Sequence, residues 1–286
     1  MNIIKNNGDR VPYDPSKISS SIKRTGAADR IVKHVVEKVS NRVKDGMTTA
    51  KVYAIVREEL KEEDLCTACR YNLRNAILRF GPTGFLFEQY VTSVLKSHTY
   101  DAHVPEEELE GSCVKHEVDV IAEKNGRRMF IEAKFRHEYK GVVNLKDTMA
   151  TWSRFLDLVD GAALGNCPHF DEAWIITNAR FSDRATTFGT CKGMHLIGWN
   201  YPQGRTFAGM VDYNKLYPIT VLDEMTDDEI QQIAETGTTL CREMTELEPD
   251  SLAQRTGISP GRAEELIKLC AIVIEGSGVK PEKDKK

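Results

Sequence analysis

The first eighty residues combine one short hairpin pattern with several helical patterns. Apolar runs flank the polar turn Asn6-Asn7-Gly8, and Asn-Gly between apolar runs is typical of a tight hairpin. Asp14-Pro15 follows with a helix N-cap and a proline at the first helical position. We therefore predict a helical domain with an N-terminal hairpin over residues 1–80, ending at the breaker sequence 81–84. Apolar residues recur at helical spacing over 29–44, 49–62 and 64–79.

Beyond this point the spacing of apolar residues changes, and the fold class that it predicts is multidomain α/β. A helix over 84–96 precedes strand-like runs that alternate with helices, which is typical of a mixed sheet flanked by helices. We assign this second domain to residues 81–220. Residues 221–275 are helical and acidic and predict a small all-α domain, and the tail 276–286 is expected to be disordered. The predicted strands are 117–123, 128–135, 172–177 and 194–199, and the predicted helices are 143–159 and 181–191.

Composition narrows the class of protein. Of 286 residues, 41% are hydrophobic and 29% charged, which excludes collagen-like, disordered and disulfide-stapled chains. No apolar run is long enough for a membrane span, and the N-terminus lacks the apolar segment of a signal peptide. The seven cysteines are odd in number and scattered, which favours reduced thiols and a cytoplasmic location.

The net charge of −4 conceals an uneven distribution. Residues 1–80 carry a net charge of +6, residues 81–220 carry −3 and residues 221–286 carry −7. A uniformly basic nucleic-acid-binding protein would not show this distribution. Any contact with a polyanion must therefore use local patches.

One predicted hairpin places two carboxylates together. Asn125-Gly126 is the preferred two-residue type I′ turn, and a turn there pairs residues whose numbers sum to 251. Asp119 then lies directly opposite Glu132, and Lys134 emerges on the same face as Glu132 because side chains alternate along a strand. Apolar neighbours indicate that both strands are largely buried.

Such a pair of like charges is costly in a buried sheet, and a divalent cation such as Mg²⁺ or Mn²⁺ would offset the cost. A bound metal polarises a phosphoryl oxygen, and Lys134 can hold the attacking water and offset developing charge. This is the chemistry of phosphodiester hydrolysis. The alternative from the residues alone is that Asp119 and Glu132 lie on an exposed face and merely pair with Lys134 or Arg128.

The segments Gly84-Phe85-Leu86-Phe87-Glu88-Gln89-Tyr90-Val91, Val118-Asp119-Val120 and Ile131-Glu132-Ala133-Lys134 together resemble the PD-(D/E)xK nucleases, specifically the Mrr-like restriction endonucleases. The later segment 175–197 resembles the strand-helix-strand that closes the same domain. The resemblance implies that Asp119 and Glu132 are metal ligands, that Lys134 is the catalytic lysine and that Glu88 is an accessory acid. It also implies that Thr177 and Asn178 line the DNA groove.

This sequence departs from the nuclease pattern at two positions. Val118 stands where the family name has proline. Glu132 stands where many Mrr-like members have glutamine, which restores the metal-binding form.

The N-terminal segment bears a second resemblance. Ile3-Ile4-Lys5-Asn6-Asn7-Gly8 and Tyr13-Asp14-Pro15-Ser16-Lys17-Ile18 look like the ATP-cone, a regulatory module of ribonucleotide reductases. The resemblance implies that ATP or dATP binds as an allosteric effector, with Lys5 and Lys17 on the phosphates and Thr48 as a further contact. The family usually has a second cation at the position of Asn6. The alternative is a small basic helical domain that binds nothing or binds DNA directly.

The C-terminal turn 256–261 resembles a helix-hairpin-helix, which implies a DNA phosphate contact near Arg262. The acidity of 221–250 leaves protein docking as an alternative for this domain.

From the sequence we therefore predict a metal-dependent DNA endonuclease of restriction or repair type, which forms a homo-oligomer and is regulated by ATP or dATP. The alternatives are a non-catalytic nucleotide-responsive factor that binds DNA or protein, and a nuclease that acts on RNA or branched DNA.

Overall fold

A computed structural model of the chain describes residues 1–5, 7–80, 85–138 and 140–275. Three features that carried predictions lie outside the described residues, namely Asn6 of the first turn, the breaker sequence 81–84 and the tail 276–286. Within the described ranges the chain is a multidomain α/β protein with a mixed sheet and many helices, as the sequence predicts.

The N-terminal domain is an antiparallel strand pair followed by helices. The Asp14 side chain accepts a hydrogen bond from the backbone N–H of Ser16 and so caps the first helix, as predicted. Thr48 caps the third helix by accepting from the backbone N–H of Lys51. The elements are β1 (Asn2–Ile4), β2 (Arg10–Pro12), α1 (Pro15–Lys23), α2 (Asp29–Arg42), α3 (Thr49–Glu63) and α4 (Leu65–Leu78).

Helix α4 takes part in two hydrophobic cores. Its residue Ala68 packs with the apolar faces of α1, α2 and α3 in a core of the N-terminal domain. Leu73, Ala76 and Ile77, together with Phe80, belong instead to a core that includes the central sheet and the C-terminal helices. The boundary that the sequence predicts near residue 80 is therefore not a boundary in packing.

The second domain is built on a five-stranded mixed sheet with the strand order β11-β9-β7-β6-β3. Strands β11, β9 and β7 are parallel, and β6 pairs antiparallel with both β7 and β3. Further strand pairs, β4 with β5 and β8 with β10, lie outside this sheet. The elements are α5 (Phe85–Ser97), β3 (Asp101–His103), β4 (Leu109–Glu110), β5 (Lys115–His116), β6 (Val120–Lys124), β7 (Arg127–Ala133), β8 (Val142–Val143), α6 (Leu145–Ala163), β9 (Glu172–Ile176), β10 (Arg180–Phe181), α7 (Asp183–Cys191), β11 (His195–Ile197) and α8 (Phe207–Tyr213).

Helices cover both faces of this sheet. On one face Phe130 and Ile175 pack with Phe155 of α6 and Ala185 of α7. On the other face the sheet shares the large core that contains α5, α8 and the C-terminal helices. The predicted strands and helices of this domain are all present. The further elements, which were not predicted, are β3, β4, β5, β8, β10 and α8.

The C-terminal segment is all helical within the described residues. Gly257 ends α11 in the left-handed conformation, with φ of +78°, a backbone geometry that favours glycine. No helix in the described part of the chain is long and apolar enough to cross a membrane. The elements are a 3₁₀ turn (Ile219–Val221), α9 (Asp227–Ala234), α10 (Cys241–Thr245), α11 (Pro249–Thr256) and α12 (Pro260–Glu275).

Candidate functional site

The turn between β6 and β7 sets the register of the predicted hairpin. Both residues of the Asn125-Gly126 turn have positive φ, +54° and +74°, as a type I′ turn requires. The strands keep the predicted register as far as the pair Val120 and Ile131. Asp119 is the next residue beyond this last pair. The hairpin therefore places Asp119 beside Glu132, at the open end of the strands.

The two carboxylates have different partners. Oδ2 of Asp119 accepts a hydrogen bond of 2.7 Å from the backbone N–H of Ala133. Glu132 is 6% exposed. Its Oε1 lies 3.2 Å from Nζ of Lys134, and its Oε2 accepts a hydrogen bond from the guanidinium of Arg154. Glu132 is thus held between two cations, whereas Asp119 is held by a neutral backbone donor.

A cleft of about 390 Å³ opens at this end of the sheet. Its walls carry Glu88 from α5, Glu117 and Asp119 from the segment before β6, and Glu132 from β7. Lys134 lines the same cleft. The structure therefore brings together the four residues that the sequence analysis named as catalytic, which are Glu88, Asp119, Glu132 and Lys134.

Burial and mutual repulsion perturb the carboxylates of the cleft. Burial, followed by the charge of Glu132, raises the pKa of Asp119 to about 7, although the N–H of Ala133 opposes the rise. Burial and the charges of Glu117 and Glu132 raise the pKa of Glu88. The cations that line the cleft therefore leave part of its negative charge uncompensated.

Two of these carboxylates could hold a divalent cation. Among the described residues, no group of three or more His, Cys, Asp and Glu side chains is arranged as a metal site. Mg²⁺, however, is commonly bound by one or two carboxylates together with water and phosphate oxygens, and Asp119 with Glu132 fits that donor set. Because both oxygens of Glu132 already contact Lys134 and Arg154, a cation there must compete with at least one of them.

Arg154 and Glu117 are charged residues of the cleft wall that were not predicted as site residues. Arg154 lies on α6 at helical spacing from the buried residues Thr151 and Leu158, so a charge is present close to the apolar face of the helix. A charged residue near the apolar face of a helix requires a partner inside the protein. This feature of the sequence could have identified Arg154 as a candidate site residue. Glu117 precedes Asp119 by two residues, and side chains two residues apart along an extended chain lie on the same face. This spacing could have placed Glu117 on the side of Asp119.

Thr177 and Asn178 are not placed to contact DNA as predicted. The two residues are 0% and 3% exposed. The Thr177 hydroxyl donates to the carbonyl of Lys134 at 2.5 Å. The Asn178 side chain accepts from the backbone N–H of Arg136 and donates to the carbonyl of the same residue. Both polar side chains are used inside the protein, where they fix the chain that follows Lys134.

A second cavity, of about 250 Å³, lies in the N-terminal domain. Lys5 and Lys17 line it, as predicted, together with the aromatic rings of Tyr53 and Tyr71. These two rings stack with their centroids 5.1 Å apart. Thr48, which was predicted as a further contact, does not line the cavity; the next residue, Thr49, lies in the wall instead. The Thr48 hydroxyl is used to cap α3.

Charged contacts join this N-terminal domain to the C-terminal segment. Arg57 on α3 forms an ion pair with Asp223. Nζ of Lys61, one helical turn further on, lies 3.2 Å from Oδ2 of Asp223 and 2.9 Å from Oε1 of Glu224. Asn72 on α4 is buried, and its Nδ2 donates to Oδ1 of Asp223 at 3.2 Å. Asp223 is therefore held by two helices of the N-terminal domain.

Arg262 is engaged in ion pairs inside the C-terminal helices. Its guanidinium lies 2.8 Å from Glu229 and 2.9 Å from Glu265, and it also donates to the carbonyl of Glu224. The hydrogen bond that the Arg262 guanidinium donates to Glu229 raises the pKa of Arg262 further. A phosphate could reach this guanidinium only by displacing these carboxylates, so the structure gives no support to the predicted DNA contact.

Comparison with known proteins divides the chain in a similar way. Residues 1–73 match the family described as ATP cone domain, and residues 217–274 match the family described as AF1548-like, C-terminal. An uncharacterized protein of Archaeoglobus fulgidus is 33% identical over 166 residues, which cover 58% of this chain and 90% of that protein. The crystal structure of a protein of unknown function, AF1548, covers 66% of this chain and 98% of its own, with 30% identity and a TM-score of 0.59.

The shared length and identity reach across nearly the whole of these relatives. The N-terminal domain with its lysine-lined cavity is an ATP cone, and the C-terminal helices are those of the AF1548-like proteins. The chain belongs to the AF1548-like family.

Proposed function

We propose that this protein is a divalent-metal-dependent DNA endonuclease whose activity is tuned by ATP or dATP bound to the cone. The observation that carries the proposal is the cleft in which Asp119, Glu132 and Lys134 meet at the open end of one hairpin, with Glu88 facing them. Two acids and an amine at such a rim fit the chemistry of phosphodiester cleavage.

Each side chain of the cleft has a defined part in this proposal. Asp119 and Glu132 would hold the cation, which when bound would supply Lewis-acid polarisation of the scissile phosphate. Lys134 orients the attacking water and offsets negative charge that develops on the phosphate. Glu88, whose pKa is raised by burial, holds a proton more readily than an exposed glutamate does.

Regulation through the cone rests on the geometry of α3. Val52, Tyr53 and Val56 of this helix line the nucleotide cavity, and Arg57 and Lys61 of the same helix pair with Asp223. A ligand that shifts or stiffens α3 in the cavity must therefore act on its contact with the C-terminal segment.

A second route leads from the nucleotide cavity of the cone to the carboxylate of Asp223. The Tyr53 hydroxyl donates to Oδ1 of Asn72 at 3.1 Å, and the amide of Asn72 donates to Asp223. The cavity wall and the contact between domains thus share hydrogen-bonded residues. We infer that nucleotide binding is transmitted along this path.

Plasmid cleavage with Mg²⁺ or Mn²⁺, with and without ATP, tests the proposal. We expect the wild type to cut and Asp119→Asn, Glu132→Gln and Lys134→Ala to be inactive while they remain folded. Asp101→Asn is the matched control, because Asp101 is an exposed aspartate of the same sheet. Equal cutting by the wild type and the three cleft variants would end the proposal. RNA and branched DNA in the same assay decide the substrate class.

One observation favours a second candidate, a non-catalytic nucleotide-responsive factor that binds DNA or protein. Glu132 is already paired with Lys134 and Arg154, so the pair of acids is partly neutralised without a metal. Mn²⁺ titration by calorimetry separates the candidates. Binding that is lost in Asp119→Asn supports the nuclease, and absence of binding in the presence and absence of DNA supports the non-catalytic factor.

A further inference from the structure

A third cavity lies at the far end of β6 from the acidic cleft. Its volume is about 460 Å³, which is within the range of small-molecule sites. Lys124, which lines it, is five residues from Asp119, or about 16 Å along a strand. Residues an odd number of positions apart also lie on opposite faces of a strand. The cavity is therefore separate from the acidic cleft. Its walls include His98, Tyr100, Lys124, Arg205, Thr206 and Tyr213.

Two cations in this cavity are held in place by neutral groups. Nζ of Lys124 donates to the carbonyl of His98 at 2.8 Å and lies 4.4 Å from the ring centroid of Tyr100. The Arg205 guanidinium donates to the hydroxyl of Tyr100 at 2.7 Å, and its central carbon is 5.1 Å from the ring centroid of Trp174. Aromatic faces and carbonyls position these charges without neutralising them.

Within the described part of the chain, no carboxylate lies in the wall beside these cations. The cavity wall as described contains no Asp or Glu, and neither Lys124 nor Arg205 forms an ion pair with a carboxylate within the described ranges. Although the chain carries a net charge of −4, the charged side chains of this cavity wall are cations. Lys124 and Arg205 each carry several N–H donors in addition to the one that bonds His98 or Tyr100. Their positive charge and these further donors suit an anionic ligand such as phosphate.

An exposed aromatic ring stands at the edge of the same cavity. Tyr213, at the end of α8, is 82% exposed. Its ring stacks on His98 with the centroids 6.1 Å apart and the planes at 28°. An outward-facing aromatic ring beside two cations is the combination that binds nucleotides, because every base has a face that can stack.

The geometry points to a nucleotide-binding site in this cavity, with the phosphate on Lys124 and Arg205 and the base stacked on Tyr213. The ligand is either a free mononucleotide or one nucleotide of a single strand, which share this chemistry. The site is distinct from the cone cavity and does not require the cleft to be catalytic.

Fluorescence-detected binding of thymidine monophosphate and of a labelled hexathymidylate tests this site. The protein is the full chain carrying Asp119→Asn, with a chelator present, so that metal-dependent cleavage and its failure do not enter the measurement. No ATP is added, and the protein also carries Lys17→Ala, so that nucleotide binding in the cone cavity is weakened and the proposed site stays open to the probes. We expect Lys124→Ala, Arg205→Ala and Tyr213→Ala each to weaken binding about ten-fold. Lys192→Ala, at an exposed lysine elsewhere on the surface, should leave binding unchanged.

The two ligands distinguish the sources of the nucleotide. Binding of both supports a site for free nucleotides, and binding of the oligonucleotide alone supports a single strand as the ligand. Removal of Arg205 could loosen its packing on Trp174, but Tyr213 is exposed and its replacement tests the site without that risk. The inference is overturned if neither ligand binds saturably at millimolar concentration, or if binding is the same in the wild type and in Lys124→Ala and Tyr213→Ala.

Discussion

Replacement of Asp119 by asparagine should make the folded protein more stable at alkaline pH. The ionised carboxylate is half-buried beside Glu132, and this environment raises its pKa to about 7. Asparagine has nearly the same shape, and its Oδ1 can still accept the hydrogen bond from Ala133. The substitution therefore removes the repulsion and keeps the local geometry.

The magnitude follows from the difference in pKa between the folded and unfolded states. A rise from 3.8 to about 7 corresponds to about 4 kcal/mol at about 1.4 kcal/mol per pKa unit. Solvent screens a half-buried group, so we expect Asp119→Asn to gain about 1–2 kcal/mol at pH 8. For a chain of this size that is an increase in Tm of about 2–6 °C.

The sign of the pH dependence is fixed by the direction of the shift. The folded state holds the proton of Asp119 more tightly than the unfolded state does. The stability that the folded state gains from this tighter proton binding is therefore fully present below pH 3.8 and is lost as the pH rises to about 7. The gain in Asp119→Asn should accordingly be largest at pH 8 and become smaller as the pH is lowered toward 5.

Calorimetric unfolding at pH 5 and pH 8 measures both quantities, with Asp101→Asn as the control for loss of one exposed negative charge in the same sheet. A variant that is no more stable than the wild type at pH 8, or a gain that does not change with pH, would refute the raised pKa of Asp119.

Further predictions concern the partners of the cleft and the cone. Arg154→Ala leaves Glu132 with one cation fewer, so the free energy of unfolding should fall by about 2–4 kcal/mol. Added Mn²⁺ should stabilise this variant more than it stabilises the wild type. Equal stability of the two proteins in denaturant would contradict the buried pair. Lys17→Ala should weaken ATP binding about ten-fold in calorimetry, and an unchanged affinity would remove this lysine from the site. Asp223→Asn breaks the contact with Lys61, so the response of cleavage to ATP should decrease while cleavage without ATP persists; a full ATP response would exclude this path.

The hairpin and its carboxylates could be predicted because their geometry is local. The Asn125-Gly126 turn fixes the register over a few residues, and the register alone places Asp119 beside Glu132. The alternative is correct in part, since Glu132 pairs with Lys134 as it expected, but Glu132 is buried and not on an exposed face. Sequence patterns of this kind need no knowledge of how distant segments pack.

The remaining features of the site depend on contacts between distant segments. Arg154 reaches Glu132 from a helix that follows it by 22 residues, and no local pattern names that partner. Thr177 and Asn178 resemble groove residues in the sequence, but the carbonyl and N–H groups after Lys134 require partners inside the fold and use them. Polar residues at the end of a buried strand therefore do not by themselves indicate a surface for DNA.

The position of α4 has a consequence for dividing the chain into separately expressed parts. A fragment that begins near residue 81 would lack Leu73 and Ile77 and would expose the apolar surface that they cover. A fragment that ends there would carry the same residues into water. A cut before Leu65 keeps α4 with the sheet and the C-terminal helices. Shortened proteins that start at Leu65 should therefore aggregate more slowly than those that start near residue 81.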